Sequence, residues 1–216
     1  MKRTNLNLAF IATITILSGC AVGRKLSFEN KQTGPDFTTT KSASIAFRDE
    51  RPSVLAGKSK PSLCGHINST LQISYNVQTA NGKPLADEFA QSVTDSYNKA
   101  GAPATTLIAG SNSNQEALIA AFKKENKDRL LIFSIKDWDA KGVPRFSTIR
   151  YEVICEFVLQ VYDKDGNLLA SDSTHDWLER EEGSSVTVKR LQGFADEELN
   201  KQVTALFNKE AIKNSL

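Results

Sequence analysis

Few residues in this sequence have side chains that commonly do chemistry, and only two of them are histidines. His175 lies in the run Asp172-Ser173-Thr174-His175-Asp176. A Ser-His-Asp arrangement would support hydrolysis, with His175 as the base and Asp172 or Asp176 orienting it. Alternate side chains of a strand point to opposite faces, however, which would separate His175 from both acidic residues. We therefore predict no catalytic residue, and a hydrolase that uses His175 remains an alternative.

Cys64 and His66 are the residues considered for a metal site. Cys64 and His66 are two residues apart and would share one side of an extended segment. Tetrahedral zinc takes about four ligands in closely spaced pairs, and the remaining soft ligands, Cys155 and His175, are far away in sequence. The sequence contains no glycine-rich phosphate loop and no Gly-x-Ser-x-Gly motif. We predict neither a metal nor a cofactor.

The charged cluster Arg48-Asp49-Glu50-Arg51 is the most distinctive polar feature of the sequence. It follows a predicted strand and ends at Pro52, which interrupts regular pairing. Such a cluster could orient a charged group of a partner, so Arg48, Asp49, Glu50 and Arg51 are our candidate partner-binding residues. The alternative is a local network of ion pairs with a small effect on stability.

Hydrophobic periodicity predicts the elements that must position these residues. Alternation or apolar runs indicate strands, and apolar residues at helical spacing indicate three helices, the second of which follows a capping-box pattern at residues 113–116. The order β-β-α-β-α-β-β-β-α predicts one α+β domain: a mixed β-sheet with a long C-terminal hairpin and helices packed on it. The predicted strands cover residues 42–47, 71–77, 104–109, 130–135, 151–162 and 168–178, and the first and third helices cover residues 84–100 and 188–213.

The first 20 residues carry a targeting signal. Lys2 and Arg3 precede an uncharged, mostly apolar run over residues 6–17, which is too short for a membrane span of about 20 residues. The run ends in Leu17-Ser18-Gly19-Cys20, which resembles the lipobox of bacterial lipoproteins. The chain thereby resembles small uncharacterised periplasmic and outer-membrane lipoproteins. The alternative is ordinary signal cleavage that leaves Cys20 as a free thiol.

The resemblance implies an anchor and a location. Cleavage before Cys20 would leave a diacylglyceryl thioether and an acylated amine, and several acyl chains together, such as palmitate, anchor a protein firmly. In Gram-negative bacteria, a residue other than Asp after the lipidated cysteine favours the outer membrane, and this chain has Ala21 there. We expect a signal peptide over residues 1–19, a lipidated and flexible tether over residues 20–41, and a single periplasmic domain over residues 42–216.

Charge and cysteine content bear on two further questions, namely nucleic-acid binding and a disulfide bond. Without Lys2 and Arg3 the chain has 25 basic and 25 acidic residues, so its neutral balance gives no support for nucleic-acid binding. An envelope compartment permits disulfides. Cys64 and Cys155 could therefore pair, although two buried free thiols explain the sequence equally simply.

These observations favour a non-enzymatic accessory lipoprotein for envelope assembly or transport. We expect it to be anchored through Cys20, most simply in the outer membrane facing the periplasm, and to bind a protein partner of the envelope. One alternative is the periplasmic hydrolase with His175. Another is a carrier of a small apolar ligand, which would need an interior cavity of several hundred Å³.

Overall fold

The computed structural model describes residues 24–29, 31, 33–108 and 114–216. The predicted signal peptide and Cys20 lie outside these residues. The strands are β1 (Lys25–Leu26), β2 (Ala43–Asp49), β3 (Leu63–Asn68), β4 (Ser74–Thr79), β5 (Ala104–Thr106), β6 (Arg129–Pro144), β7 (Ile149–Asp163) and β8 (Leu168–Glu182). The helices are α1 (Pro52–Leu55), α2 (Leu85–Lys99), α3 (Gln115–Phe122), α4 (Val188–Phe207) and α5 (Glu210–Ser215). None of the helices in this part of the chain is long and apolar enough to cross a membrane.

One mixed sheet is assembled on the long strand β6. One edge of β6 pairs antiparallel with β7, which pairs antiparallel with β8 to give the long C-terminal hairpin. The other edge is divided: β2 pairs parallel with residues 129–135, and β3 pairs parallel with residues 140–142. β5 lies beside β2, while β4 and then β1 lie beside β3. The sheet therefore forks beside residues 136–139 of β6.

The main core lies between the sheet and the helices α2, α4 and α5. Phe133 of β6 stacks on Phe47 of β2 with ring centroids 4.5 Å apart, and it also contacts Phe207 of α4 at 5.9 Å. Phe89 of α2 packs edge-on against Phe47 and Phe157. Aromatic rings thus fill the space between the sheet and the helices. A carrier of a small apolar ligand would need its cavity in that space.

A smaller core lies on the opposite face of the sheet. Leu118 and Phe122 of α3 pack there against Leu130 and Ile132 at the start of β6. Both faces of this half of β6 are therefore covered, as its continuous apolar run predicts. The predicted α+β class, the mixed sheet, the C-terminal hairpin and the packed helices are all confirmed.

The N-terminal segment differs from the expected tether. Lys25 and Leu26 form β1 and pair with Gln78 and Thr79 of β4. Leu26 and Phe28 have no exposed surface, and Phe28 packs edge-on against Phe89 at 4.9 Å. The prediction of a flexible tether as far as residue 41 is wrong for these residues, because two apolar side chains at strand spacing bury themselves in the core.

The region between the first predicted strand and α2 also differs. The sequence predicts a loop where β3 forms, and it predicts a half-buried strand from residue 71 where β4 begins only at Ser74. Leu71 and Ile73 are 80% and 51% exposed, so the apolar face expected of this strand is not buried at these two residues. Farther on, the predicted closing helix is interrupted: α4 ends at Phe207 and α5 begins at Glu210.

Candidate functional site

The fork in the sheet opens a cleft of about 570 Å³ beside β6. β2 leaves β6 after Ile135, and a bulge at Lys136 separates that pairing from the residues that meet β3. We call this feature the fork cleft. Its lining includes Arg51, Ser53, Ser59, Gly65, His66, Lys136, Asp137, Asp139 and Glu156.

Arg51 forms the inner wall of the fork cleft and is almost completely buried. Its guanidinium donates to both carboxylate oxygens of Asp49, at 2.8 and 2.6 Å, and to the carbonyl oxygens of Leu63 and Pro61. A bidentate pair with two further acceptors fixes the loop after β2 against the start of β3. Arg51 and Asp49 are therefore structural, and neither offers a charge to a partner.

Glu50 completes the local network. It forms an ion pair with Arg48 at 2.7 Å and a second one with Lys136. Residues 48–51 thus form the local network of ion pairs that the sequence leaves open as the alternative. The network also includes Lys136, which the sequence of the cluster does not indicate. Lys136 also lines the fork cleft, where its side chain is 42% exposed and its ammonium pairs with Glu50.

His66 and Asp139 form the central polar pair of the fork cleft. His66 Nδ1 lies 2.9 Å from Asp139 Oδ1, and Lys141 Nζ lies 3.2 Å from Asp139 Oδ2. Burial alone would raise the pKa of Asp139, but the hydrogen bond and charge of His66, helped by Lys141, hold that pKa below its ordinary value. Asp139 is therefore a carboxylate at neutral pH and fixes the orientation of the imidazole.

His175 lies on β8 outside this pair. Its Nδ1 is 4.0 Å from Glu156, a residue that lines the fork cleft. Asp172 and Asp176 instead meet Lys209 and Lys201 on the helix side of the sheet. The alternation along β8 therefore separates His175 from both acidic residues, as expected from strand geometry. The Ser-His-Asp arrangement considered for the hydrolase does not form.

Cys64 and His66 point to opposite faces, although they are two residues apart. A bulge between Leu63 and Gly65 shifts the register of β3, and it turns Cys64 into the main core while His66 faces the fork cleft. In the described part of the chain, no three His, Cys, Asp or Glu residues are grouped to hold a metal ion. The shared side considered for a Cys64–His66 metal site is therefore absent.

Cys64 and Cys155 do not form a disulfide; both are buried free thiols. Cys64 Sγ donates to the carbonyl oxygen of Val77 at 3.4 Å, and Cys155 Sγ lies 3.7 Å from Glu198 Oε1. Burial, with the nearby charge of Glu88, raises the pKa of Cys64 to about 12. Burial and Glu198 likewise raise the pKa of Cys155. Neither thiol is therefore activated as a nucleophile.

The fork cleft is equipped for binding polar groups. Lys136 can donate, Glu156 can accept, and the second nitrogen of His66 can do either. Among the described residues, neither histidine hydrogen-bonds to a hydroxyl or thiol that could act as a nucleophile. The arrangement can therefore recognise a partner of mixed charge. Sequence reasoning missed the His66–Asp139 pair, since its members are 73 residues apart.

No known family model matches the sequence, and no curated protein matches it. The fold is similar to several solved structures at low identity. One is an uncharacterised protein with 10% identity and a TM-score of 0.41, covering 82% of this chain and 99% of its own. The PelC dodecamer from Paraburkholderia phytofirmans has 16% identity and a TM-score of 0.40, covering 83% and 96%. Lipoprotein GNA1162 from Neisseria meningitidis has 13% identity and a TM-score of 0.27, covering 76% and 97%. Similarities this weak assign no function.

Proposed function

We propose that this chain is a lipid-anchored envelope protein that faces the periplasm and binds a protein partner through the fork cleft. Its role is accessory and non-enzymatic. The anchor is Cys20 in the Leu17–Cys20 motif, and the residue that follows it, Ala21, favours the outer membrane. The partner contacts Lys136, His66 and Glu156.

The observation that carries the proposal is the position of β1. Lys25 is paired with the sheet only five residues after Cys20, and Leu26 and Phe28 are locked into the core. Five residues span at most about 17 Å. An acylated Cys20 would therefore hold the domain directly against the bilayer and not at the end of a long flexible linker. Such a geometry suits a protein that presents a surface at the membrane.

The anchor is tested by replacing Cys20 with Ala and following the mature protein by cell fractionation. We expect the variant to leave the membrane fraction, because it has no acyl chains. Ser18→Ala is the matched control, since it keeps a small residue in the motif and should leave the protein in the membrane. Retention in the membrane of Cys20→Ala from which the signal peptide has been cleaved would contradict the proposal.

The partner site is tested by placing a photo-crosslinking residue at Lys136 in the lipidated protein in living cells. The control position is Lys164, an exposed residue in the β7–β8 turn, far from the fork cleft. We expect a discrete crosslinked species from position 136 that is missing from position 164 and is reduced by Glu156→Lys. Equal crosslinking from both positions, or none from position 136, would argue against a partner in the fork cleft.

A further inference from the structure

Two turns at one end of the sheet carry large apolar side chains into solvent. Leu71 and Ile73 lie in and after the β3–β4 turn and are 80% and 51% exposed. Phe146, at the tip of the β6–β7 turn, is fully exposed. Isolated exposed apolar residues are ordinary on a protein surface, but a cluster on projecting turns marks an interaction site.

The two turns are neighbours. β3 runs parallel to β6 and antiparallel to β4, so the end of β3, the start of β4 and the end of β6 lie together. The Gln72 side chain donates to the carbonyl oxygen of Pro144 at 3.5 Å and connects the turns. The backbone amide of Arg145 donates to Thr148 and closes the second turn. We call Leu71, Ile73 and Phe146 the apolar tips.

The described chain begins on the strand beside β4: Lys25 and Leu26 of β1 pair with Gln78 and Thr79, the last residues of β4. β1 is parallel to β4, so the chain reaches Lys25 from the side on which β4 begins. The guanidinium of Arg24 lies 3.7 Å from the ring centroid of Tyr75, two residues after Ile73. Cys20 is four residues before Arg24 and so lies within about 14 Å of it. An acylated Cys20 at this distance from Arg24 can therefore reach the end of β4 beside which Ile73 lies.

From this placement we infer that Leu71, Ile73 and Phe146 enter the lipid bilayer beside the acylated Cys20 and fix the orientation of the domain on the membrane. The inference rests on the proposed lipid anchor and adds the surface that faces the bilayer. The apolar faces of interfacial helices sit about 5–10 Å into the boundary between headgroups and acyl chains, and we expect the apolar tips to reach that layer.

The charges around the apolar tips indicate which lipids they meet. Arg145, Arg150 and Arg180 lie on the turn or on the adjoining strands, and Glu152, Glu179, Glu181 and Glu182 lie among them. Arg150 is paired with Glu152 and lies 3.9 Å from Glu179. Among the residues that the structure describes, basic and acidic side chains are therefore mixed at this end of the sheet and do not form a basic patch for anionic headgroups. The occupant is a zwitterionic lipid surface, held by apolar contact.

Tryptophan fluorescence tests the inference in the mature, lipidated protein reconstituted into phosphatidylcholine and phosphatidylethanolamine vesicles. Phe146→Trp and Leu71→Trp each place a reporter on an apolar tip. The parent protein, with Trp138 and Trp177, supplies the baseline. We expect each reporter to show a blue-shifted emission on reconstitution. Lipids brominated near the top of the acyl chain should quench it more strongly than lipids brominated near the end.

Leu168→Trp is the matched control. Leu168 is 52% exposed and lies at the opposite end of β7, roughly 45–50 Å from the β6–β7 turn at about 3.4 Å per residue. This reporter should show neither blue shift nor bromine quenching. Equal behaviour of the three reporters would overturn the inference.

Vesicle flotation and mass spectrometry separate this inference from the proposed function. If the lipidated parent floats with the vesicles but neither tip reporter is quenched, the anchor stands and the membrane contact of the apolar tips is refuted. If mass spectrometry finds no lipid on Cys20, both proposals fail together. A quenched Leu168→Trp with unquenched tips would mean that the domain meets the membrane by its opposite end.

Discussion

At the scale of single residues, the most unusual feature is a carboxyl group inside the main core. Glu198 of α4 has no exposed surface, and it accepts from Gln202 Nε2 at 2.7 Å beside the Cys155 thiol. Burial raises the pKa of Glu198, and the hydrogen bond from Gln202 and the charge of Lys201 only partly oppose it. Its ionised form is therefore more costly in the folded protein than in the unfolded chain.

This cost predicts how Glu198→Gln changes stability with pH. Below the unfolded pKa of about 4.3 the wild-type carboxyl is protonated in both states. As pH rises from there through the raised folded pKa, the wild-type protein loses up to about 1.4 kcal/mol of stability per pH unit. The glutamine variant has no such loss. Its free energy of unfolding, relative to wild type, should therefore increase over this pH range and then level off.

Urea unfolding at a series of pH values measures this difference. Glu197→Gln is the control, because it makes the same chemical change on the same helix at a side chain that is 53% exposed. A constant difference between Glu198→Gln and wild type across the pH range would show that Glu198 is not desolvated as the fold implies.

At the scale of secondary-structure elements, the sequence predicts the helices and strands that depend on residues close together in the chain. The helix expected at residues 84–100 forms as Leu85–Lys99, since its apolar stripe, its acidic first turn and Gly101 all act within one segment. The strand expected from Leu130 also forms, and it continues to Pro144. Alternation of Leu71 and Ile73 indicates an amphipathic segment, but it cannot show whether anything covers the apolar face.

The fork cleft could not be predicted in the same way. It depends on two strands sharing one edge of β6, which is a non-local pairing. It also depends on the bulges in β6 and β3, and the bulge in β3 places Cys64 and His66 on opposite faces of the sheet. One signal was present: a glycine inside a strand often marks a close backbone approach. Gly65 is such a residue, because a Cβ there would lie 2.1 Å from the carbonyl oxygen of Ala140.

Gly65→Ala should therefore weaken the pairing of β3 with β6. The clash is with backbone, which cannot rotate away, so we expect a loss of about 1–3 kcal/mol in the free energy of unfolding. Gly193→Ala is the matched control: it lies in α4 with open space around it and should gain about 0.5–1 kcal/mol from helix propensity. Chemical denaturation of both variants gives the comparison. An unchanged Gly65→Ala protein would contradict the close contact between β3 and β6.

At the scale of the whole molecule, the N-terminal segment decides how closely the proposed lipid anchor would hold the domain to a membrane. A flexible tether would let the domain rotate freely, and the partner could then approach any face. Residues 25–28 instead close the core beside α2, with Phe28 4.9 Å from Phe89 and 5.7 Å from Trp138. Lys25, five residues after the proposed anchor, therefore keeps a fixed position relative to the apolar tips and the fork cleft.

Phe28→Ala tests whether this segment belongs to the fold. Removing a fully buried aromatic ring from a packed core should cost about 3–5 kcal/mol in the free energy of unfolding. Phe146→Ala is the control, because the same change at a fully exposed position should leave stability within about 0.5 kcal/mol. Urea denaturation of the two variants measures both effects. If Phe28→Ala were as harmless as Phe146→Ala, the segment would be a tether after all, and neither the orientation on the membrane nor the role proposed for the apolar tips would hold.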